Sequence, residues 1–513
     1  MFEQFFLDKH DQVTFDLFKM LKARGTEPFT INRLSGVLGL SYQKTLKTYH
    51  ALENDLRTLQ IADDHAERAH AETFYELATG IHVERYRFYL LQHSVCFQFY
   101  TELLQNGAIS LDAFAHAHGV SSSTLRRKAE PFRRFLFERQ LSFDMSNWVL
   151  QGSELTIRQL MTSFFNEAYR GGTWPFTIIT KSEVAACYKT LQNLPSAFED
   201  PRPQVVTLRR LISLAVQLLR IKQKHYFVPT TQMNQMLAAS HQSSPLIFTA
   251  EYFPHVPPRA LAAERSYYFF MRVSKLDLSR QASHLQQNIY TYFTSFDSPV
   301  KRFADQLLAA LTQSLDPFRK LRVQSDQSLR TNLYRVIYTY YVINGTFIKA
   351  SDFSDVSDYQ VSGAPLRAQI RNFIHSIPQS APERVFKRYL PDITNSIFFV
   401  LLPDYEDFQP QALLQVRLDL EIQGIITRDM LDFMQGLGLI NVLPDNSVAK
   451  ADVVITSSQN LAQMLRTMNG ELVARADQQK IIYWGSENSD DDLYALLTKL
   501  RRLAAAKAAV QSQ

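Results

Sequence analysis

Four side chains in one amphipathic segment, residues 111–128, have the chemistry to contact a nucleic-acid duplex. Ser122 and Ser123 carry short hydroxyl groups, which allow close approach to phosphates or base edges. Arg126 and Arg127 carry guanidinium groups, which bind guanine or phosphate through paired hydrogen bonds. We expect all four to face outward from one helix and to form a DNA-reading surface.

The other residues of this segment have the spacing of a helix-turn-helix. Ala115 is small where two helices would cross, and Gly119, four residues later, suits a turn that needs a positive φ. Val120 would fill the core beneath the turn, Ser121 would cap the second helix, and Leu125 would anchor that helix inward. An ordinary helical hairpin with a solvated second helix is the alternative, but the basic outward face favours DNA binding.

An earlier segment, residues 30–47, repeats the pattern less closely. Ser35 takes the small crossing position and Gly39 the turn, and the residues that would plug the core and cap the helix recur. The expected inward anchor, Leu46, falls one residue later than in the second segment, so the register differs. The outward candidates for DNA contact are Tyr42, Gln43, Lys44 and Lys47.

Length and composition predict a multidomain and mainly helical protein. A chain of 513 residues implies three to five domains, and 16 Gly is few for this length, which favours helix. The net charge of +5 is mildly basic and compatible with nucleic-acid binding without establishing it. Downstream of the second segment, Arg133, Arg134 and Arg139 are expected to extend the positive charge.

Several classes of protein are excluded by what the sequence lacks. The two cysteines, Cys96 and Cys187, provide neither a disulfide framework nor metal-ligand spacing. The sequence has no P-loop, GxSxG, HExxH or dinucleotide glycine pattern, so we expect no enzyme, catalytic residue, cofactor or metal. Since neither a signal peptide nor a transmembrane run is found, we expect a cytoplasmic protein that joins the nucleoid when bound to DNA.

The pattern along the chain predicts mainly α architecture followed by a small α/β domain. Breakers such as Pro254 to Pro258 divide the helical middle of the chain. The predicted order is a first helix-turn-helix domain at 1–65, a second and winged one at 66–150, helical domains at 151–285 and 286–392, an α/β domain with a parallel sheet at 393–505, and a tail at 506–513.

Within the C-terminal domain, apolar runs predict strands and amphipathic runs predict helices. Strands are expected at 397–402, 439–443, 452–456 and 480–484, and helices at 411–423 and 458–469. Alternation of apolar strands with helices is typical of a parallel sheet that is covered on both faces.

With both helix-turn-helix segments in place, the chain resembles the Mga/AtxA family of regulators from Gram-positive bacteria, which control virulence and growth. Residues 152–158, with the pattern G-x-E-x-x-I-R, resemble the start of the first regulatory domain of that family, and residues 172–176 (GTWPF) also fit. The resemblance implies two helical PTS-regulation domains (PRDs) after the DNA-binding domains. It also implies a C-terminal domain similar to the EIIB component of sugar phosphotransferase systems.

The resemblance also implies a mechanism, in which phosphotransferase-system phosphocarrier proteins phosphorylate PRD histidines and so change dimerisation or DNA binding. The histidines in the helical region are candidates, of which we rank His375 first and His225 second. An EIIB protein carries its phosphoryl group on a cysteine after its first strand, where residues 401–405 (LLPDY) would stand here. Since the C-terminal domain has no cysteine, we expect it to mediate homodimerisation and not phosphoryl relay.

Two other functions remain open at this point. One is a transcription regulator whose helical middle senses a small ligand without histidine phosphorylation. The other is a protein–protein scaffold that has kept degenerate helix-turn-helix domains. The sequence does not identify the DNA site, the regulated genes or the sign of regulation.

Overall fold

A computed structural model of the chain describes residues 2–24, 30–63, 80–144, 148–170, 172–193, 208–240, 248–277, 283–313, 315, 317–345, 347–353, 364–403, 414–419, 440–444, 451–456, 481–483 and 490–511. It divides into two compact units. The first comprises Met1–Leu276, Ala282–Ser298 and Tyr338–Asp355, and the second comprises Asp277–Gln281, Pro299–Ile337 and Val356–Gln513.

The first unit is built almost entirely of helices. Its helices are α1 (Glu3–Phe6), α2 (Lys9–Arg24), α3 (Ile31–Leu38), α4 (Tyr42–Asp63), α5 (Val83–His93), α6 (Val95–Asn106), α7 (Leu111–Ala117), α8 (Ser122–Phe137), α9 (Glu154–Tyr169), α10 (Lys181–Asn193), α11 (Leu208–Lys222), α12 (Thr231–Ser240), α13 (Pro258–Ser274) and α14 (His284–Thr294). A short antiparallel hairpin, β1 (Ser142–Asp144) and β2 (Val149–Gln151), separates α8 from α9.

Aromatic rings form the core that holds α8 in place. The ring of Phe6 in α1 lies 4.9 Å from that of Phe132 in α8 and 5.6 Å from that of Phe164 in α9, measured between centroids. The Tyr100 hydroxyl of α6 donates a hydrogen bond of 2.8 Å to the carbonyl of Ala129 in α8. Tilted and edge-on ring pairs of this kind stabilise a core beyond the apolar area that they bury. The inner side of α8 is therefore fixed, and its outer side is left to solvent.

The second unit combines helices with a sheet. Its elements are α15 (Pro299–Leu311), α16 (Pro317–Ser325), the part of α17 (Gln327–Ile343) that ends at Ile337, α18 (Ala364–Ser376), a 3-10 segment (Pro382–Tyr389), α19 (Leu390–Leu401), β3 (Leu414–Asp419), β4 (Ile440–Val442), β5 (Val453–Thr456), β6 (Ile481–Tyr483) and α20 (Asp490–Gln511). The Phe303 ring of α15 packs against Phe373 of α18 and Phe386 of the 3-10 segment, at 5.4 and 4.6 Å between centroids.

The described strands of the second unit form one parallel sheet in the order β4-β3-β5-β6. Val416 and Ile455 of the two central strands are fully buried, and Leu496 and Leu500 of α20 belong to the same apolar cluster. In this sheet the first strand lies between the second and the third, which is the order of doubly wound sheets of the flavodoxin type. The predicted parallel α/β region near the C-terminus is confirmed.

One predicted strand is wrong, because residues 397–401 belong to helix α19. Ile393, Ile397 and Leu401 recur every four residues and are all fully buried, which is the period of a helix with one buried face. Every residue from 397 to 402 is apolar, so this four-residue period cannot be recognised from that run alone. The proposed domain boundary at 393 falls within the same helix, and the boundaries of all the domains stay predictions.

The predicted helix at 411–423 is also wrong where the structure describes it, because residues 414–419 form strand β3. Leu414 and Val416 are buried and Gln415 between them is less so, which is the two-residue period of a strand. Residues 401–403 therefore lie at the end of helix α19 and not after a strand. The sequence has no cysteine after β3 either. The strands expected at 439–443, 452–456 and 480–484 are confirmed as β4, β5 and β6, and the helix expected at 458–469 lies outside the described residues.

Candidate nucleic-acid interface

The second helix-turn-helix has the geometry that its spacing predicts. Ser110 and Ser121 cap α7 and α8, and their hydroxyl oxygens accept hydrogen bonds from Ala113 N at 3.3 Å and Thr124 N at 3.2 Å. Gly119 has a φ of +65°, in the left-handed region that favours glycine. Leu125 is fully buried. The caps and this turn set the direction in which α8 leaves the motif.

Hydroxyl groups in the first turn of α8 are held by the cap. The Ser123 hydroxyl lies 3.0 Å from Ser121 Oγ, and the Ser121 hydroxyl donates to Thr124 Oγ1 at 2.8 Å. Ser123 is exposed, whereas Ser122 is half-buried. These short side chains leave room for a close approach, and the long side chains of Arg126 and Arg127 extend from the next turn.

Arg126 and Arg127 differ from Arg133 of α8 and from Arg139, which follows the end of that helix. Arg126 and Arg127 are both exposed, and within the described part of the chain neither has a hydrogen bond or an ion pair. Arg133, by contrast, binds Glu130 through two hydrogen bonds of 2.7 and 2.9 Å, and Arg139 binds Asp352 at 3.1 Å. The expected extension of positive charge therefore fails at Arg133 and Arg139, because carboxylates neutralise them.

The first helix-turn-helix has the same local geometry. Thr30 accepts a hydrogen bond from Arg33 N at 3.3 Å, as Ser110 does from Ala113 N. Gly39 has a φ of +64°. The Leu40 amide donates to the Ser35 carbonyl at 3.1 Å, the same turn contact that joins residues 120 and 115 at 3.0 Å. Each of these contacts recurs eighty residues later in the chain.

The inward anchor of α4 is Thr45, not Leu46. Thr45 is fully buried, and Leu46 is only half-buried. The Thr45 hydroxyl donates to the Ser41 carbonyl at 3.1 Å, so a polar side chain is satisfied at a core position. Thr45 follows Gly39 by six residues, as Leu125 follows Gly119, so the two segments share one register. A sequence signal existed, since threonine can occupy a buried helix position by bonding the preceding turn.

The outward candidates of α4 are all exposed. Half of the Tyr42 surface is accessible. Among the residues that the structure describes, no hydrogen-bond or ion-pair partner is found for the side chains of Tyr42, Gln43, Lys44 and Lys47. The structure therefore places the predicted reading residues of both motifs on solvent-facing helix surfaces, except that Ser122 is half-buried.

A short hairpin after α8 has the form of a wing. Strands β1 and β2 pair with Phe143 opposite Leu150, and Trp148 is almost completely buried. The Trp148 ring lies 5.1 Å from that of Phe99 in α6 and 5.5 Å from that of Phe143, measured between centroids. These contacts attach the base of the wing to the helical core.

The motif at residues 152–158 forms a buried ionic network, which the sequence reading did not anticipate. Arg158 donates to both carboxylate oxygens of Glu264 at 2.7 and 2.8 Å, and also to Glu154 at 2.9 Å. Arg220 binds Glu154 through two hydrogen bonds of 2.9 and 2.7 Å. Burial alone would lower the pKa of Arg158, but its hydrogen bonds to the Glu264 carboxylate raise that pKa above its ordinary value. The network joins α9, which begins just after the wing, to α11 and α13.

The two candidate phosphorylation sites are exposed. His225 follows the end of α11, and its carbonyl accepts a hydrogen bond of 2.9 Å from Arg158. Burial lowers the pKa of the His225 imidazole, and Arg220 adds to this decrease. His375 lies in the last turn of α18, and its carbonyl accepts a hydrogen bond of 2.8 Å from Lys387. His225 belongs to the first unit and His375 to the second.

The described residues contain neither a metal site nor a helix that could cross a membrane, and both cysteine thiols are unreactive. No group of histidine, cysteine and carboxylate side chains in them could hold a metal ion. No described helix combines the length and the apolar character that crossing a membrane requires. Burial raises the pKa of the Cys96 thiol to about 12 and that of Cys187 to about 11, which makes both poor nucleophiles.

Residues 79–165 match the family model of the Mga helix-turn-helix domain. The match contains α7, α8, the wing and most of α9, and the first helix-turn-helix lies outside it. No curated protein matches the chain. The resemblance stated from the sequence is thus confirmed over this region, and a domain of this kind indicates a DNA-binding transcription regulator.

Proposed function

Since residues 79–165 form an Mga-type helix-turn-helix domain, we propose that α8 enters the major groove of promoter DNA and that the protein regulates transcription from there. One observation carries this proposal. Arg126 and Arg127 are exposed and unpaired among the described residues, while Arg133, farther along the same helix, is paired with Glu130. Positive charge is thus concentrated where a reading helix meets DNA.

Arginine is suited to this position for a chemical reason. Its planar guanidinium group forms two parallel hydrogen bonds with guanine O6 and N7, or with two phosphate oxygens. An arginine whose hydrogen-bond donors are already held by a carboxylate would first have to break those bonds. We therefore expect Arg126 and Arg127, and not Arg133, to provide most of the binding free energy from α8.

The experiment compares two arginine substitutions in the full-length protein, with a randomised duplex library as the probe. The double variant Arg126→Ala/Arg127→Ala should bind about tenfold or more weakly than the wild type, since each lost bidentate contact costs about 1–3 kcal/mol. Arg133→Ala is the matched control and should bind within about twofold of the wild type, as Arg133 is already paired with Glu130. Equal losses in both variants would contradict the proposal, as would wild-type affinity of the double variant.

We further propose that the first helix-turn-helix contributes a second contact, through Tyr42, Gln43, Lys44 and Lys47. The support is the shared geometry of the two motifs and the exposure of these side chains. In a homodimer, four reading helices could span several turns of DNA, so that DNA shape and bendability contribute to recognition.

Histidine phosphorylation is the proposed means of regulation. A phosphorylated histidine of a phosphocarrier protein would transfer its phosphoryl group to an imidazole nitrogen of His375 or His225, with cleavage of the P–N bond in the carrier and formation of a P–N bond here. Exposure of both histidines supports access by a carrier protein. His375→Asp should change promoter activity in cells, and His375→Ala should abolish the response to sugar uptake. If neither variant differs from the wild type, His375 is not the sensor.

The helical regions after the wing are proposed to be PRD-like, and the C-terminal sheet to be EIIB-like and to mediate homodimerisation. The parallel order β4-β3-β5-β6 and the missing cysteine support a domain of this fold that has lost phosphoryl relay. Light scattering of the purified chain should give twice the mass of 59.2 kDa. A monomer at micromolar concentration would contradict the dimer.

A further inference from the structure

The two reading helices have the same geometry but different chemistry. Both follow a turn with a glycine near φ +65° and a hydroxyl cap, and both are anchored six residues after that glycine. Side chains at matching positions in α4 and α8 are therefore presented in the same way relative to their own motif. Differences between these side chains are therefore differences in chemistry and not in local fold.

In α8 the long side chains available for base contact are arginines. The Ser123 hydroxyl is held near the cap, which leaves the guanidinium groups of Arg126 and Arg127 as the extended donors. A guanidinium group has donors only, so in the major groove it selects the paired acceptors O6 and N7 of guanine.

In α4 the matching positions carry different groups. Gln43 stands where α8 has Ser123, and Leu46, which is half-buried, stands where α8 has Arg126. The Gln43 side chain is exposed and unpaired among the described residues, and its amide has one donor and one acceptor side. This pairing matches N6 and N7 of adenine. Lys44 and Lys47 provide point charges, which suit phosphates better than base edges.

We propose that the two helices read different bases, so that one chain recognises an asymmetric DNA sequence in which Gln43 contacts an adenine and Arg126 contacts a guanine. This inference rests on the proposed DNA-binding function. It makes the specificity of one chain composite, because each motif adds its own base preference. The DNA site of one chain is then neither a direct repeat nor a palindrome, because each of those would require two identical reading helices.

The test selects preferred sequences from a randomised duplex library with the full-length protein. The variants are Gln43→Arg, Gln43→Ala and Arg126→Ala, all at exposed positions, and Gln92→Arg is the control because it makes the same change at an exposed glutamine in α5. Circular dichroism and thermal melting verify that each variant is folded.

The expected result is position-specific. Gln43→Arg should change the preference from adenine to guanine at one position, by between about 5-fold and about 100-fold. Gln43→Ala should remove the preference there, Arg126→Ala should relax a guanine preference at a different position, and Gln92→Arg should select the same sequences as the wild type.

Two outcomes would overturn the inference and are distinguishable from each other. If the wild type binds DNA but Gln43→Arg and Arg126→Ala leave every base preference unchanged, or alter the same base, the inference is wrong while DNA binding stands. If the wild type binds no duplex even at low salt, the proposed function is wrong and the inference with it.

Discussion

Thr45 and Leu125 perform the same task in the two motifs with different chemistry. The Ser41 carbonyl accepts hydrogen bonds from both the amide and the hydroxyl of Thr45, at 2.9 and 3.1 Å. Thr45→Val removes the hydroxyl and leaves that carbonyl satisfied, so unfolding free energy should change by less than about 1 kcal/mol. Leu125→Ala should lower it by about 2–5 kcal/mol, because it leaves a cavity. Hydrogen exchange of α4 and α8 measures both effects, and a larger loss for Thr45→Val would contradict this account.

The turn glycine of the second motif is required by its backbone and not by space. No atom lies within 4 Å of the position that a Cβ would take at Gly119, but its φ is +65°. Gly119→Ala should therefore lower the stability of the motif by about 1 kcal/mol through backbone strain alone. Gly119→Asn is the control and should cost less, because asparagine tolerates this conformation. The two variants are compared by hydrogen exchange of α7 and α8, and equal protection would argue against strain.

Acid should weaken the attachment of α1 through Glu3. Burial raises the pKa of this carboxyl, but the paired Arg87 guanidinium outweighs it and lowers the pKa from 4.5 to about 2. A depressed pKa in the folded state contributes stability that is present above pH 4.5 and is lost as the pH falls towards 2. Glu3→Gln should reduce the dependence of the melting temperature on pH across this window. An unchanged pH profile would show that another carboxylate dominates.

At the scale of elements, the buried network around Arg158 should behave as a unit. Glu264→Gln removes the carboxylate that Arg158 binds through two hydrogen bonds, leaves Glu154 as its remaining carboxylate partner, and should cost about 3–5 kcal/mol. Arg158→Met added to Glu264→Gln should cost less than the sum of the two single changes, because the guanidinium group that lost this partner is removed. Urea unfolding of the single and double variants gives the coupling, and strict additivity would mean that the two residues act independently.

Sequence reasoning succeeded where a short run of residues was sufficient to identify the element. Strand β5 is a run of four buried residues, Val453–Thr456, and was located correctly. Helix α19 was missed because its buried face is recognised only when the window begins near Leu390, seven residues before the apolar run at 397–402. Strand β3 was missed because its polar alternating residues, such as Gln415 and Arg417, also fit an amphipathic helix.

The exposure of the proposed DNA-contacting residues could be predicted from the sequence, whereas the pairing of the arginines that follow them could not. Exposure of Arg126 and Arg127 follows from the spacing of the motif. That Arg139 is paired with Asp352 depends on a residue more than two hundred positions away, which no local pattern reveals. The register of α4 was misjudged for a related reason, since a buried threonine is recognised only once its hydrogen bond is known.

For the whole molecule, net charge is a poor guide and the distribution of unpaired charge a better one. The value of +5 is small for 513 residues. We expect log affinity for DNA to fall linearly with log salt, with a slope of about −0.9 for each phosphate neutralised. Arg126→Ala/Arg127→Ala should reduce the magnitude of this slope if those residues contact phosphates. A weaker affinity with an unchanged slope would assign both arginines to base contacts instead.

The buried tryptophan at the base of the wing makes this region visible to fluorescence. The sequence has three tryptophans, Trp148, Trp174 and Trp484, so two replacements by phenylalanine leave Trp148 as the sole indole emitter. An indole that is 2% exposed among Phe99 and Phe143 emits at short wavelength, and its emission moves to longer wavelength when water enters. Movement of the wing away from the helical core on DNA contact would thus be recorded as a shift of the Trp148 emission to longer wavelength, in real time and without an added dye.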